Sequence, residues 1–489
     1  MRISYLAYTF SLAMAYFSIV FLVPVIVALC YGEFHAIMPF LTAGASLIII
    51  SSILRKTVNG ITSINDIKKG EGLFAVCLCW IFAGLFAAIP YLFFGFSPIN
   101  AFFEATSGIT ATGATILTHF DYTHTLFFWR SFTQWLGGMG IIVLFIAILP
   151  QFAIAGRQLF FAEAPGPTED KFTPRIKNTA GALWKIYFGM TILAVILLKI
   201  GGMSWFYAIC HAFSSVSGGG LSPSENSLIG SSNTILWILC FFMFFAGASY
   251  NLQYKVWTKF NPFLLFKNEE FKVYFSIVAI LGLLLAGSLF VHSNFDFTSS
   301  LTHSFFQVSS AISTTGFCSS DFASWDYTSK AILFIVMLAG SCASSAGGGI
   351  KIMRWILIWK IMKAEMSKIL HPKAVFNIKI GKYSVSKEIL YQTLMFVFFY
   401  LAILVISGFL VSIIEKDTIV GITGAVSSIG NIGPGFGKLI GPLGNFESLQ
   451  PLTKAIFILD MYVGRLELIP FLVLFQKDLW HIKNKSISQ

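Results

Sequence analysis

The chain has 489 residues, of which 56% are hydrophobic and only 11% charged, and its mean hydropathy is +0.78. Soluble domains carry about 25% charged residues, so the composition excludes a soluble enzyme or binding module and requires a protein that crosses a membrane many times. The net charge of +11 needs no nucleic-acid partner, because loops beside an anionic cytoplasmic leaflet are expected to be basic.

Apolar runs long enough to cross about 30 Å of hydrocarbon as helix fall at 4–32, 36–54, 72–95, 127–150, 182–201, 233–256, 272–292, 328–353, 388–414 and 455–475. An even number of spans places both termini on one side. The first run is too long for a signal-peptide core and has no small-residue cleavage site, so it reads as a retained helix. Its ending VALC puts Leu29 where a lipoprotein box before Cys30 needs a small residue. The turn CYGEFHAI joins spans one and two, and the basic loop RKTVNGITSINDIKKGEG follows. With the N-terminus in the cytoplasm, the inner segments hold 26 of the 33 Lys and Arg and 10 of the 22 acids; the outer ones hold 6 and 10. The positive-inside rule therefore puts both termini in the cytoplasm.

From residue 72 the pattern becomes span, short apolar segment, span, and it occurs four times. The short segments, near 98–110, 205–217, 301–313 and 419–430, are only 12 or 13 residues long. That is too short to cross the bilayer but suits re-entrant half-helices. Each ends in a glycine turn: EATSGITATGA, HAFSSVSGGGL, VSSAISTTGFC and AVSSIGNIGPG align on Gly113, Gly219, Gly316 and Gly433, spaced by 106, 97 and 117 residues. A fourfold internal repeat predicts four similar loops around one axis. The expected fold is an all-α polytopic membrane protein, with four tandem helix–pore loop–helix repeats around a central pore and two extra N-terminal transmembrane helices. The divisions are 1–70 with those two helices, 71–153 with repeat one, 154–258 with a cytoplasmic linker and repeat two, 259–364 with repeat three and an intramembrane loop, and 365–489 with a cytoplasmic connector, repeat four and the C-terminal tail.

Rings of backbone carbonyls can replace the hydration shell of a cation, and glycine supplies the positive φ values that aiming them at an axis requires. The expected ion-binding groups are therefore the main-chain oxygens of Thr110, Ala111, Thr112 and Gly113; of Val216, Ser217, Gly218 and Gly219; of Ser313, Thr314, Thr315 and Gly316; and of Gly430, Asn431, Ile432 and Gly433. Glu104 and Asp321 are candidates for concentrating cations at the mouth, with capping or solvated carboxylates as the alternative. The run SCASSAGGGIK breaks a long apolar stretch, and Gly347, Gly348 and Gly349 predict a flexible intramembrane loop. Arg465 lies near the middle of the last span, where an arginine costs roughly 2.5–3.5 kcal/mol and must face the pore or a partner. A structural ion pair with Asp460 or Glu467 is the alternative, although spacings of five and two residues place neither on its helix face. The seven Cys show no metal-ligand spacing and carry no assigned role. His211 is expected to be packed or mouth-facing. No phosphate-binding loop, zinc motif or nucleophile elbow marks an enzyme.

Together with FFEATSGITATGAT, the motifs QWLGGMGIIVL (134–144), FFAEAPGP (160–167), STTGF (313–317), SCASSAGGGIK (341–351), NIGPGFG (431–437) and VGRLELI (463–469) resemble the Trk/Ktr/HKT superfamily of potassium transporters. The likeness covers essentially the whole chain, and the two extra N-terminal helices resemble the TrkH/TrkG type of membrane subunit. One glycine per repeat in that superfamily accompanies potassium selectivity, so the resemblance implies potassium as the transported ion, with no covalently bound cofactor. It also implies that the intramembrane loop and Arg465 constrict the pore beneath the filter. The implied setting is the bacterial cytoplasmic membrane, as a homodimer, with a cytosolic TrkA-type nucleotide-binding subunit sensing NAD(H) or ATP. The rival reading is a proton- or sodium-coupled alternating-access carrier, which places ionisable residues such as Arg465 and Asp460 near the midplane.

Overall fold

A computed structural model describes residues 3–58, 69–140, 176–293, 295–373, 377–381 and 383–466. The chain is an all-α polytopic bundle in which four repeats of long helix, half-helix and inner helix surround one axis, with two further helices at the N-terminus. A single two-stranded hairpin departs from this among the described residues, pairing Lys379–Ile380 with Tyr383–Ser384 in the connector before repeat four.

Among the described residues six helices are long and apolar enough to cross a membrane: Ser4–Tyr31, Phe34–Thr57, Gly70–Phe93, Ala180–Ile200, Glu269–His292 and Lys387–Glu415. They match six of the expected spans. Two other expected spans break. The run at 233–256 is a helix Asn233–Ala246 followed, after a bend of 102°, by Tyr250–Lys259; the run at 328–353 is helical only over Tyr327–Ala339. In both, the break falls at a glycine, Gly247 or Gly340. The spans expected at 127–150 and 455–475 are helical over His124–Met139 and Pro451–Arg465; their parts beyond 140 and 466 lie outside the described residues. So do most of the basic loop after span two, the FFAEAPGP motif at 160–167, Glu467 and the C-terminal tail.

The four half-helices are Pro98–Ile109, Trp205–Ser217, Phe297–Ile312 and Thr418–Gly430. Local chemistry starts them. Ser97, Ser204 and Asp417 accept from the first free amides, those of Asn100, Tyr207, and Ile419 and Val420, as N-caps should. Lipid offers no hydrophobic drive between helices, so close packing requires small residues. Gly421 of the fourth half-helix illustrates this. A side chain there would meet the Gly408 carbonyl and the Ser412 amide of the neighbouring long helix.

The N-terminal pair packs on repeat one through aromatic contacts, with Phe21 and Phe40 set 4.8 and 5.4 Å from Trp129. Its outer turn is fastened by one carboxylate. Glu33 accepts from the amides of His124 (2.7 Å) and Thr125 (2.9 Å) and from the Thr125 hydroxyl (2.6 Å), so it caps the helix His124–Met139 from another element. Burial alone would raise the Glu33 pKa, but the hydrogen bonds from Thr125 and His124 outweigh it and hold the carboxyl below its ordinary value. A depressed carboxyl stabilises this docking fully above the unfolded pKa and loses that contribution as pH falls through the folded value. Glu33→Ala is therefore expected to lower thermal stability by about 1 kcal/mol at neutral pH and to flatten the acid limb of the melting profile; a folded variant with an unchanged profile would remove this role.

Candidate functional site

Past each half-helix the backbone follows one pattern. A residue with left-handed φ comes first, Ala111 (54°), Gly218 (70°), Thr314 (58°) or Asn431 (54°), and two residues later a glycine repeats it: Gly113 (90°), Gly220 (72°), Gly316 (83°) or Gly433 (106°). Between them, the amides of Thr112, Gly219, Thr315 and Ile432 donate to Ser107, Ser214, Ser310 and Ser427 at 2.8–2.9 Å. This corrects the sequence alignment in repeat two. The counterpart of Gly113 is Gly220, and the four-residue stretch is Ser217–Gly220 rather than Val216–Gly219. The corrected spacings are 107, 96 and 117 residues. In this register every repeat has Ser six residues before the glycine and Ile or Val four before it.

The four glycines close a ring. A Cβ on Gly113 would fall on the carbonyl oxygen of Gly219, one on Gly220 on that of Thr315, and one on Gly316 on that of Ile432; one on Gly433 would lie 2.9 Å from that of Thr112. Each repeat thus leans its backbone into the space that a side chain would occupy in the repeat before it. The ring is buttressed from behind: Ser214, Ser310 and Ser427 donate through their hydroxyls to Leu221, Phe317 and Gly433 carbonyls. Gln134 brackets repeat two, donating to the Gly219 carbonyl (2.6 Å) and accepting from the Leu221 amide (3.1 Å). The Val216 carbonyl is also taken, by the Tyr250 hydroxyl at 3.0 Å.

One face of the ring opens into a cavity of about 130 Å³ lined by Gly113, Gly220, Gly316 and Gly433 together with Arg130 and Glu225. Glu104 does not serve at this mouth. It is fully buried, pairs with Arg130 Nε at 2.8 Å and accepts from the Ile116 amide at 2.9 Å. Arg130 in turn donates to the Ser222 carbonyl (3.1 Å) and the Thr115 hydroxyl (3.0 Å), stapling the chain beyond the first glycine to that beyond the second. Burying such charges is tolerable only because each is paired and hydrogen-bonded. Asp321 caps a short turn, accepting from the Ala323 amide at 3.0 Å. The carboxylate at the cavity is the exposed Glu225, which the sequence did not single out. His211 is packed, between the Tyr207 carbonyl and the Ser222 hydroxyl.

The opposite face is covered by the segment between Gly340 and Lys351. The Gly348 amide donates to the Thr314 hydroxyl at 2.8 Å, and side chains placed on Gly347 or Gly348 would run into the Ser313 carbonyl at 2.6 Å or the Gly430 carbonyl at 2.5 Å. All three residues of the glycine run are buried. The segment is held by its neighbour's break: Cys342 and Ala346 amides donate to the Gly247 and Ala246 carbonyls, and the Tyr250 amide donates to Ser344. Arg465 closes the other side. Its guanidinium donates to Ala346 (2.7 Å), Gly137 (2.5 Å) and Gly138 (2.7 Å) carbonyls, so one side chain of repeat four ties the loop of repeat three to the inner helix of repeat one. Asp460 faces elsewhere, accepting from the Ser407 hydroxyl at 2.9 Å.

A family described as "TrkH: Cation transport protein" matches residues 87–486. The Trk system potassium uptake protein TrkH of Salmonella typhimurium is 35% identical over 423 residues, covering 85% of this chain and 87% of its own. TrkH of Vibrio parahaemolyticus is 31% identical over 478 residues, covering 96% and 97%, and TrkG of Escherichia coli is 29% identical over 473 residues, covering 95% and 96%. The crystal structure of the potassium transporter TrkH from Vibrio parahaemolyticus superposes with a TM-score of 0.86 at 29% identity, across 98% of this chain and 100% of that one. Ring, cavity, loop and likeness agree, and the chain belongs to the TrkH family of cation transport proteins.

Proposed function

We propose that the chain takes up potassium across the bacterial cytoplasmic membrane through a filter built from Thr110–Gly113, Ser217–Gly220, Ser313–Gly316 and Gly430–Gly433. The observation that carries this reading is the ring of four left-handed glycines, each abutting the next repeat's carbonyl at one cavity. Main-chain oxygens replace water around the ion without the trap of a full negative charge, and Glu225 raises the local cation concentration at the mouth. The relatives named above, potassium uptake proteins by name, support potassium as the ion.

In this reading Gly347–Gly349 and Arg465 form the gate. The loop blocks the axis directly below the filter, and a fixed positive charge beside it opposes cations. A cytosolic TrkA-type nucleotide-binding subunit supplies the input through the connector that follows the loop. Pairing of two copies is supported by the helix Ile352–Leu370, whose exposed Trp355, Trp359, Met362, Met366 and Ile369 follow the four–three spacing of a two-helix seam. The carrier reading is less well supported, since Asp460 and Arg465 engage different partners and form no coupled pair.

A residue other than glycine in left-handed backbone costs about 1–3 kcal/mol, and here it also displaces the next repeat. Gly220→Ala is therefore expected to cut rubidium-over-sodium discrimination in proteoliposomes by about tenfold or more. Gly219→Ala, which meets the movable Gln134 side chain, should cost less; the reverse order would restore the alignment on Gly219. Equal discrimination in Gly113→Ser, Gly220→Ala and the parent would remove the filter.

Arg465→Ala loses three charged hydrogen bonds, each worth about 1.5–3 kcal/mol. Basal rubidium flux without a proton gradient is expected to rise about tenfold or more, and unchanged flux in a folded variant would remove its role in the gate.

A further inference from the structure

The loop below the filter has two ends, and both converge on one oxygen atom. The Ala343 amide, just after the loop begins, donates to Glu270 Oε1 at 2.7 Å; the Met353 amide, just after it ends, donates to the same oxygen at 3.2 Å. Glu270 is buried near the start of the helix Glu269–His292, so it reaches the loop from a separate element. The neck is closed further by the Ile352 amide, which donates to Ser341 at 2.9 Å.

The helix that leaves the loop shows why this carboxylate matters. Ile352–Leu370 has Lys351 at its N-cap position, in left-handed backbone (φ 75°) and with no side-chain cap. The first amides of a helix need an acceptor, and Ser, Thr, Asp or Asn normally provides one. Here Lys351 folds back to donate through Nζ to the Gly347 carbonyl at 2.8 Å, and Glu270 caps the Met353 amide from outside. A negative charge is also favoured at that positive end of the helix. The carboxylate is held in place from below. Asn268 caps its helix, accepting from the Phe271 amide at 3.0 Å. Glu269 pairs with Lys360 at 2.5 Å and accepts from the Gly381 amide of the cytoplasmic hairpin at 3.3 Å.

We infer that Glu270 is the positioning residue that latches the intramembrane loop across the axis by holding both of its ends at one carboxylate oxygen. The inference rests on the gate reading above and adds to it the group whose release frees the loop. Arg465 and Glu270 then act on different parts of it: the arginine holds the middle at Ala346, and the carboxylate holds the two ends.

The test reads the loop separately from the flux. Cys342 lies in the loop and is buried, whereas Cys30 is exposed and reports that the reagent is active. Full-length protein in proteoliposomes is treated with a charged methanethiosulfonate, and modification of each cysteine is followed by peptide mass spectrometry, beside rubidium flux. Glu270→Ala is expected to speed modification of Cys342 and to raise basal flux, each by roughly tenfold or more, the loss of two hydrogen bonds to a charged acceptor. Glu270→Gln keeps an oxygen that accepts both amides and should recover most of the protection of Cys342. If Glu270→Ala does not fold, Glu270→Asp, which withdraws the oxygen by one methylene, is read in the same way. Unchanged Cys342 protection in a folded Ala or Asp variant overturns the latch. Faster modification with unchanged flux supports the latch and overturns the gate reading.

Discussion

Four glycines without room for a side chain set the terms for the rest of this structure. At Gly113, Gly220, Gly316 and Gly433 the place of a Cβ is taken by the backbone of the adjoining repeat, so the repeats can approach one axis only if all four positions stay bare and left-handed. The features around the ring serve to keep it in that shape. The serine six residues upstream fixes the turn through its main chain in all four repeats and through its hydroxyl in three. Behind it, the buried pair Glu104–Arg130 joins repeats one and two without exposing a charge to lipid.

Backbone polar groups at membrane depth need partners within the protein, and two broken helices solve this for each other. The inner helix of repeat two bends at Gly247 and frees the Ala246 and Gly247 carbonyls; the loop of repeat three supplies the Ala346 and Cys342 amides to fill them. Gln253 takes up the Phe245 and Ala248 carbonyls beside the same bend. Neither break would be affordable alone. The loop is consequently well bonded in place, and freeing it means giving up identifiable hydrogen bonds rather than unfolding a helix.

Much of this was legible in the residues. The half-helices fall within a few residues of the segments expected from hydropathy, and Arg465 does engage the glycine-rich loop, as an arginine in the middle of a span must find some partner. The register of repeat two was not legible from its glycines, because SSVSGGGL offers three in a row and a bare backbone gives no mark of which one lies at the axis. The mark is Ser214, matching Ser107, Ser310 and Ser427. Glu104 was misplaced at the mouth because its partner is 26 residues away; the clue was Arg130 itself, a charge in an apolar run that needed an acid. Hydropathy could not foresee the break at Gly247, since apolar composition continues through it while the reason to turn lies in another repeat; the break at Gly340 was marked by the run SCASSAGGGIK that follows it. Glu270 was hidden for the same reason as the break at Gly247: its function comes from two amides more than 70 residues further along.

Because one polypeptide supplies all four quadrants, no quadrant need copy another. Among the described residues only repeat three carries the glycine-rich loop, only repeat four contributes the arginine, and only repeat two is bracketed by a glutamine. A pore assembled from four identical chains would carry four loops and four arginines wherever it carried one, and they would crowd a single axis. Under the proposed reading, fusing the quadrants lets the filter ring remain nearly symmetric while the parts that obstruct it exist as single copies. That reading lets substitutions alter the obstruction in one repeat and leave the proposed ion path in the others as it was.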